Sequence, residues 1–483
     1  MKITKPLTSP FFKFVILAGI GVGLYPWLFY FTKNFNFVNS WPHFWFFLSR
    51  FIVVPMLIFW ALYVIRKRIP AINTYLWVFF SSFCFLLFAG IAVRGHFSIK
   101  IMAAAFIAAI VVSFLSKFIQ NIPLKIIVLQ LIICFTTLPD FLSIAKSYII
   151  RGDNAWIPDY ATFKEIDFKH KPNIYLIQPD GFVGIEVLKS GSYDFDLNRF
   201  ETMFQQKDFH SYPKFFSNYN STLQSNAALF AMEHHYFRAF DERQVIMGEN
   251  PALSVLKNNA YQLHFVSEIS YLMINRPRLF YEHTNIDMAK LSLIGRGVNK
   301  LPNLNEDLAN TLENIQAPSF VFIEKISPGH ITTYQEQSRG KDAEKAFYEV
   351  ELKNAAEWLS HTIDQIITQD PEALIVIAAD HGGFVGFEYT FQSNYLTADE
   401  QKIKGMFSAL LAIRWPEQLK HLQKDPVSSV NLFRSLFSVL AEDEALLDDS
   451  AENIALNKVT EGDAKGIYQY INSNAEVEVK AID

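Results

Sequence analysis

Five apolar runs fill roughly the first 145 residues, and they limit what the chain can fold into more than any other feature. The run FVILAGIGVGLYPWLFYF at 14–31 is long enough, as a helix, to cross a hydrocarbon layer about 30 Å thick. Runs at 43–65, 75–93, 99–117 and 124–145 share that character. In lipid only a helix satisfies its own backbone groups within one segment, so five transmembrane helices are expected. The first is no cleavable signal peptide, because more apolar runs follow and no small-residue cleavage pattern stands behind it.

Charges beside these runs suggest an orientation. Lys2, Lys5 and Lys13 precede the first run, Arg66, Lys67 and Arg68 follow the second, and Lys117 and Lys125 flank the turn after the fourth. The opposite loops carry Lys33, Arg94 and Lys100. Lysine and arginine gather on the cytoplasmic side, so the N-terminus is expected inside. Five crossings then put everything after residue 146 outside the cytoplasm. Arg50 within the second run and Asp140 near the outer end of the fifth read as snorkelling or interfacial charges. The only cysteines, Cys84 and Cys134, lie inside apolar runs, so the polar part has neither disulfide nor thiol nucleophile. A net charge of −5 gives no nucleic-acid signal.

Residues 146–170 are mixed and polar and read as a linker. From 171 to 483 apolar strand-like runs alternate with amphipathic helical patterns. Strands are expected at 173–177, 261–267, 319–325, 373–379 and 407–415, and helices at 197–206, 221–237 and 344–368. Continuous apolar strands between helices indicate an α/β layer with a mostly parallel, two-sided sheet. The acidic stretch 441–457 reads as solvated surface, with two short strands at 466–481.

Two strands end on costly side chains. NIYLIQPDGF (173–182) runs into Asp180, and LIVIAADHGGF (374–384) runs into Asp380 and His381. In open parallel sheets, ligands gather beyond the carboxyl ends of strands, so these three residues form one candidate site. SNYNSTLQSNAALF (217–230) adds Ser221 and Thr222 at the start of a helix, where free N–H groups suit an alkoxide or a phosphoryl oxygen. Two carboxylates, an imidazole and a hydroxyl make a four-ligand shell for zinc or manganese. Each residue also has a plain structural reading: Asp before glycine as a turn, Ser or Thr as a helix cap. The neighbours His234 and His235 diverge by about 100° on a helix and make a poor ion pair of ligands. Arg276 and Arg278 offer phosphate-binding charge and nothing more.

PNIYLIQPDGF, NYNSTLQS and LIVIAADHGG, in that order, resemble the sulfatase-like branch of the alkaline phosphatase superfamily. The likeness is strongest to membrane-anchored phosphoglycerol and phosphoethanolamine transferases such as lipoteichoic acid synthase, and it covers roughly 171–440. It implies an alkaline-phosphatase-like α/β domain (171–483) outside the bacterial cytoplasmic membrane, behind a multi-pass region of about five helices. It further implies one divalent metal, zinc or manganese, on Asp180, Thr222, Asp380 and His381, with Thr222 rather than Ser221 transiently phosphorylated. His330, in EKISPGHITTY, matches a substrate-binding histidine, without the proline that usually follows it. The partners implied are a phospholipid donor and an envelope glycan or lipid acceptor. A hydrolase acting on the same chemistry, or a silent scaffold in an envelope-building complex, are the alternatives. The C/S-x-P-x-R context of true sulfatases is missing, and the first acid is aspartate where the transferases often have glutamate.

Overall fold

The computed structural model describes residues 10–66, 70–150, 156–158, 163, 166–294, 303–316 and 318–482. Lys2, Lys5, Lys67 and Arg68 therefore lie outside the described residues, as does much of the stretch 146–170. The chain forms two compact units, one of Met1–Gly152 with Ile274–Arg276 and Met288–Val298, the other of the remaining residues.

Among the described residues of the first unit, four helices are long and apolar enough to cross a membrane: Lys13–Lys33, Trp41–Ile65, Thr74–Arg94 and Ile99–Phe118. The fifth run differs from expectation. It is two helices, Ile122–Cys134 and Leu138–Lys146, bent by 45°. Pro139 has no N–H to continue the ladder, and the Thr136 and Thr137 hydroxyls bond back to the carbonyls of Ile133 and Cys134, so the helix breaks there. Gln130, buried in this unit, donates to the Ser81 carbonyl at 3.3 Å and lies 3.2 Å from the Ser81 hydroxyl, a polar link of the kind that ties helices together in lipid.

The second unit is an α/β layer. Its strands are β1 (Ile174–Pro179), β2 (His210–Ser211), β3 (Gln262–Ser267), β4 (His283–Thr284), β5 (Ser319–Lys325), β6 (Leu374–Ala378) and β7 (Leu411–Arg414). They form one sheet in the order β2-β7-β6-β1-β5-β3-β4. The β1, β3, β4, β5 and β6 pairings are parallel, while β7 runs antiparallel to β6 and β2. Every residue of β1 and β6 is buried, which is why both read as unbroken apolar runs rather than alternating ones.

The helix Lys341–Gln369 contains no glycine or proline and buries Tyr348, Leu352, Ala355, Leu359, Thr362 and Ile366, a stripe at three- and four-residue spacing. Within the stretch read as a linker, Trp156, Phe163 and Phe168 are buried, Trp156 against Phe240 and Phe168 against Phe437.

At the C-terminus β8 (Ala455–Val459), β9 (Gly466–Ile471) and β10 (Val477–Ala481) make a three-stranded antiparallel sheet. Two strands were expected, and the acidic stretch as surface. Its last residues, Ala455, Leu456 and Asn457, are instead buried in β8. Charge at 442–452 masks them, since a five-residue strand is too short to show a period beside so many acids.

Candidate metal centre

Because β1 and β6 are adjacent and parallel, with Ile177 opposite Ile377, their carboxyl ends open on the same edge of the sheet. Asp180 follows β1 directly, and Asp380 and His381 follow β6 by two and three residues. Thr222 is the first residue of the helix Thr222–Ala231. Its N-cap, Ser221, is extended and makes no capping bond with its side chain. The loop leading into that helix is anchored from behind: Asn218 donates to the Ile454 carbonyl at 2.8 Å and accepts from Leu456 N–H at 2.8 Å, and Asn220 donates to Asn457 Oδ1 at 3.0 Å.

The four side chains expected from the sequence converge. Thr222 Oγ1 lies 3.5 Å from Asp180 Oδ1 and 3.4 Å from His381 Nε2. His381 Nε2 in turn is 3.5 Å from Asp180 Oδ1 and 3.4 Å from Asp380 Oδ2. These separations are long for hydrogen bonds. They match the edges of a tetrahedron of ligands around an ion with bonds near 2.1 Å, which are roughly 3.4 Å. Asp180, Asp380 and His381 are buried and offer ligand atoms all within 4.8 Å of one another, the only such group of three among the described residues.

The outer contacts orient these groups. Asp380 Oδ1 accepts from the Gly181 and His381 N–H groups, both at 3.0 Å, while Oδ2 is buried with no hydrogen-bond partner. A buried carboxylate oxygen without a donor is costly, and a cation relieves it. His381 Nδ1 faces the Gly382 carbonyl at 2.8 Å, so Nδ1 carries the hydrogen and the Nε2 lone pair faces the cluster. Burial, and then the neighbouring Asp380 and Glu324 charges, hold the Asp180 carboxyl well above the usual range. Carboxylates, imidazole nitrogen and hydroxyl together fit one divalent ion of the zinc or manganese kind.

The turn after Asp180 requires glycine for steric reasons. Gly181 has φ +66°, and a Cβ there would stand 2.0 Å from the Gly329 carbonyl oxygen. The buried Tyr348 hydroxyl donates to the Gly181 carbonyl at 2.8 Å and accepts from Val183 N–H at 3.1 Å. His330 borders the cluster, its ring centre 6.2 Å from that of His381. Its Nδ1 donates to the Ile331 carbonyl at 2.6 Å, and burial, followed by the nearby His381, lowers its proton affinity.

Other sequence candidates lie elsewhere. His234 and His235 are not helical, because the helix expected to reach 237 ends at Ala231 with Met232 left-handed. His235 stacks on Tyr219 at 3.9 Å and His234 Nε2 faces the Glu452 carbonyl, so both are structural. Arg276 is committed to the Leu291 carbonyl at 2.7 Å. Glu324 was not singled out from the sequence. It lies at the end of β5 opposite Gln178, buried, with its Oε2 accepting from the Ser267 hydroxyl at 2.6 Å. An acid ending an apolar strand, the same signal as at Asp180, marks it in FVFIEK (320–325).

Glu324 should make the metal-free protein pH-sensitive. Burial pushes its carboxyl from 4.5 up to about 8, against the Ser267 hydrogen bond. The neutral form favours the folded state, so this stabilisation is complete below pH 4.5 and lost as pH rises through about 8. In detergent and chelator the melting temperature should fall by roughly 5 °C between about pH 6 and 9, and Glu324→Gln should flatten that slope. An equally steep fall in the variant assigns the effect elsewhere.

No family model and no curated protein matches this chain. Among solved structures it is similar to the C-terminal periplasmic domain of EptC from Escherichia coli, at 12% identity and a TM-score of 0.41, over 57% of this chain and 84% of that one. It is similar to the phosphonate monoester hydrolase of Agrobacterium radiobacter at 12% identity and a TM-score of 0.39, over 61% and 81%. Across most of both chains, 89% of this one and 95% of the other, it is similar to the integral membrane lipooligosaccharide phosphoethanolamine transferase EptA from Neisseria meningitidis, at 11% identity and a TM-score of 0.39.

Proposed function

We propose that this chain is a membrane-anchored, metal-dependent transferase. It moves a phosphoglycerol- or phosphoethanolamine-type group from a phospholipid to an envelope glycan or lipid through a phosphothreonine intermediate. The observation that carries this reading is the Thr222 hydroxyl at a helix N-terminus, within 3.5 Å of Asp180 and 3.4 Å of His381. A chain with four to five membrane-type helices has phospholipid donors in its own bilayer. The distribution of lysine and arginine favours a site on the outer face of the bacterial cytoplasmic membrane.

Asp180, Asp380, His381 and Thr222 would hold one divalent ion, which would lower the proton affinity of the threonine hydroxyl and draw charge from phosphorus. The free N–H groups at the start of the Thr222 helix face the incoming phosphoryl oxygens. Thr222 Oγ1 forms a bond to phosphorus while the bond to the diacylglycerol oxygen breaks, and that oxygen leaves with a proton. The acceptor hydroxyl then attacks phosphorus, releases Thr222 and gives up its own proton. His330, neutral by virtue of its burial, binds the substrate or takes that proton.

Incubation of the purified chain with headgroup-labelled phosphatidylglycerol or phosphatidylethanolamine tests this reading. The Thr222 peptide should gain the mass of the transferred group, with release of diacylglycerol. Neither adduct nor diacylglycerol from any membrane lipid would count against it. Rapid passage of the group to water alone would mark a phosphodiesterase.

A further inference from the structure

The Thr222 helix and β1 are joined by one buried pair of side-chain amides. Gln178 and Asn226 are 1% and 0% exposed, and their side-chain amides bond reciprocally, Gln178 Nε2 to Asn226 Oδ1 at 2.8 Å and Asn226 Nδ2 to Gln178 Oε1 at 2.8 Å. The pairing uses one N–H and one oxygen lone pair of each amide, so neither side chain is left without a partner. Its placement matters more than its energy. Gln178 near the end of β1 and Asp180 just after it both reach the Thr222 helix, at Asn226 and Thr222 respectively. Thr222 and Asn226 are four apart on a helix, one above the other on the same face. The amide pair therefore lies one step behind the Asp180–Thr222 contact, joining the same two elements.

We infer that the Gln178–Asn226 amide pair is a positioning clamp that fixes the register and rotation of the Thr222 helix, holding the Thr222 hydroxyl against Asp180 and His381. An apolar contact of the same volume fills the space but sets the helix's register and rotation less sharply, since hydrophobic packing is non-directional. Two antiparallel hydrogen bonds are directional and admit one arrangement. The clamp thus acts through Thr222 and touches neither metal nor substrate. This inference rests on the proposed role of Thr222.

The test compares Gln178→Leu, Asn226→Leu, the double leucine variant and the exchanged pair Gln178→Asn with Asn226→Gln, each as the full chain in detergent. Three quantities are read: melting temperature, zinc(II) affinity by calorimetry, and the rate of adduct formation on Thr222. Each single leucine variant orphans one buried amide and should melt lower, whereas the double variant, with no orphan, should recover. A purely structural pair predicts that function recovers with it. The clamp predicts that it does not: zinc affinity stays about tenfold weaker, and adduct formation stays about 100-fold slower. The exchanged pair restores part of both. A folded double leucine variant with wild-type zinc affinity and adduct rate overturns the clamp. Should the wild type bind zinc yet form no adduct, the proposed reaction fails, and the zinc affinities of the variants still decide the clamp.

Discussion

Thr222→Ala should abolish the proposed transfer reaction, with a fall of about 10⁴-fold or more, while leaving the fold intact. Deleting a nucleophile costs on that scale because what remains is only binding and charge stabilisation. The alanine variant should keep a metal, since Asp180, Asp380 and His381 are untouched and form a buried group of three by themselves. Its affinity drops by roughly tenfold, the order of a changed partner rather than a lost site. Serine at the same position keeps a hydroxyl and should retain measurable transfer. Ser221→Ala is the paired control, because Ser221 is the extended residue just outside the helix. Labelled-lipid assays with elemental analysis of each variant separate the outcomes. Equal loss in the Ser221 and Thr222 variants would exclude Thr222 as the sole nucleophile.

Asp380→Asn should have the opposite signature, losing the metal and gaining stability without it. Asparagine keeps the oxygen that accepts from Gly181 and His381, so the turn survives. It removes the charged oxygen that has no hydrogen-bond partner. Elemental analysis should go from about one ion per chain to none, a loss well beyond the ~10–100-fold cost of changing an outer contact. In chelator, however, the variant should melt above the wild type. The Asp380 charge raises the proton affinities of both Asp180 and Glu324, so removing it relieves repulsion in a buried site. A variant that is inactive, metal-free and more stable shows that the charge serves binding rather than folding. An inactive variant that melts lower when metal-free would instead make Asp380 a structural turn residue.

Much of this site is written locally. Asp180 and Asp380 each close an unbroken apolar run, and a buried parallel strand with an acid at its carboxyl end needs no tertiary information to be noticed. Choosing Thr222 over Ser221 needed the family resemblance, since both hydroxyls stand at the helix start and either serves as a cap. Interactions between distant segments were hidden. Gln178 and Asn226 are 48 residues apart, and two amides in apolar surroundings carry no signal until strand and helix register is known. Glu324 closes an apolar run as Asp180 does, but its place opposite Gln178 shows only once β5 is known to lie beside β1. The two-residue strands β2 and β4 are too short for any period. The early end of the Thr222 helix at Met232 has no glycine or proline to announce it, and the tightly packed His234–His235 segment overrides propensity there.

The anchoring of the Asn218–Asn220 loop by Ile454, Leu456 and Asn457 has a temporal consequence. Both acids and the imidazole emerge from the ribosome by residue 381, but the buttress behind the threonine comes more than seventy residues afterwards. During synthesis there is thus an interval in which a nascent chain has both acids and the imidazole but no fixed threonine. On the proposed mechanism, a chain that lacks residues 454–457 holds the acids and the imidazole while its threonine loop is still unanchored.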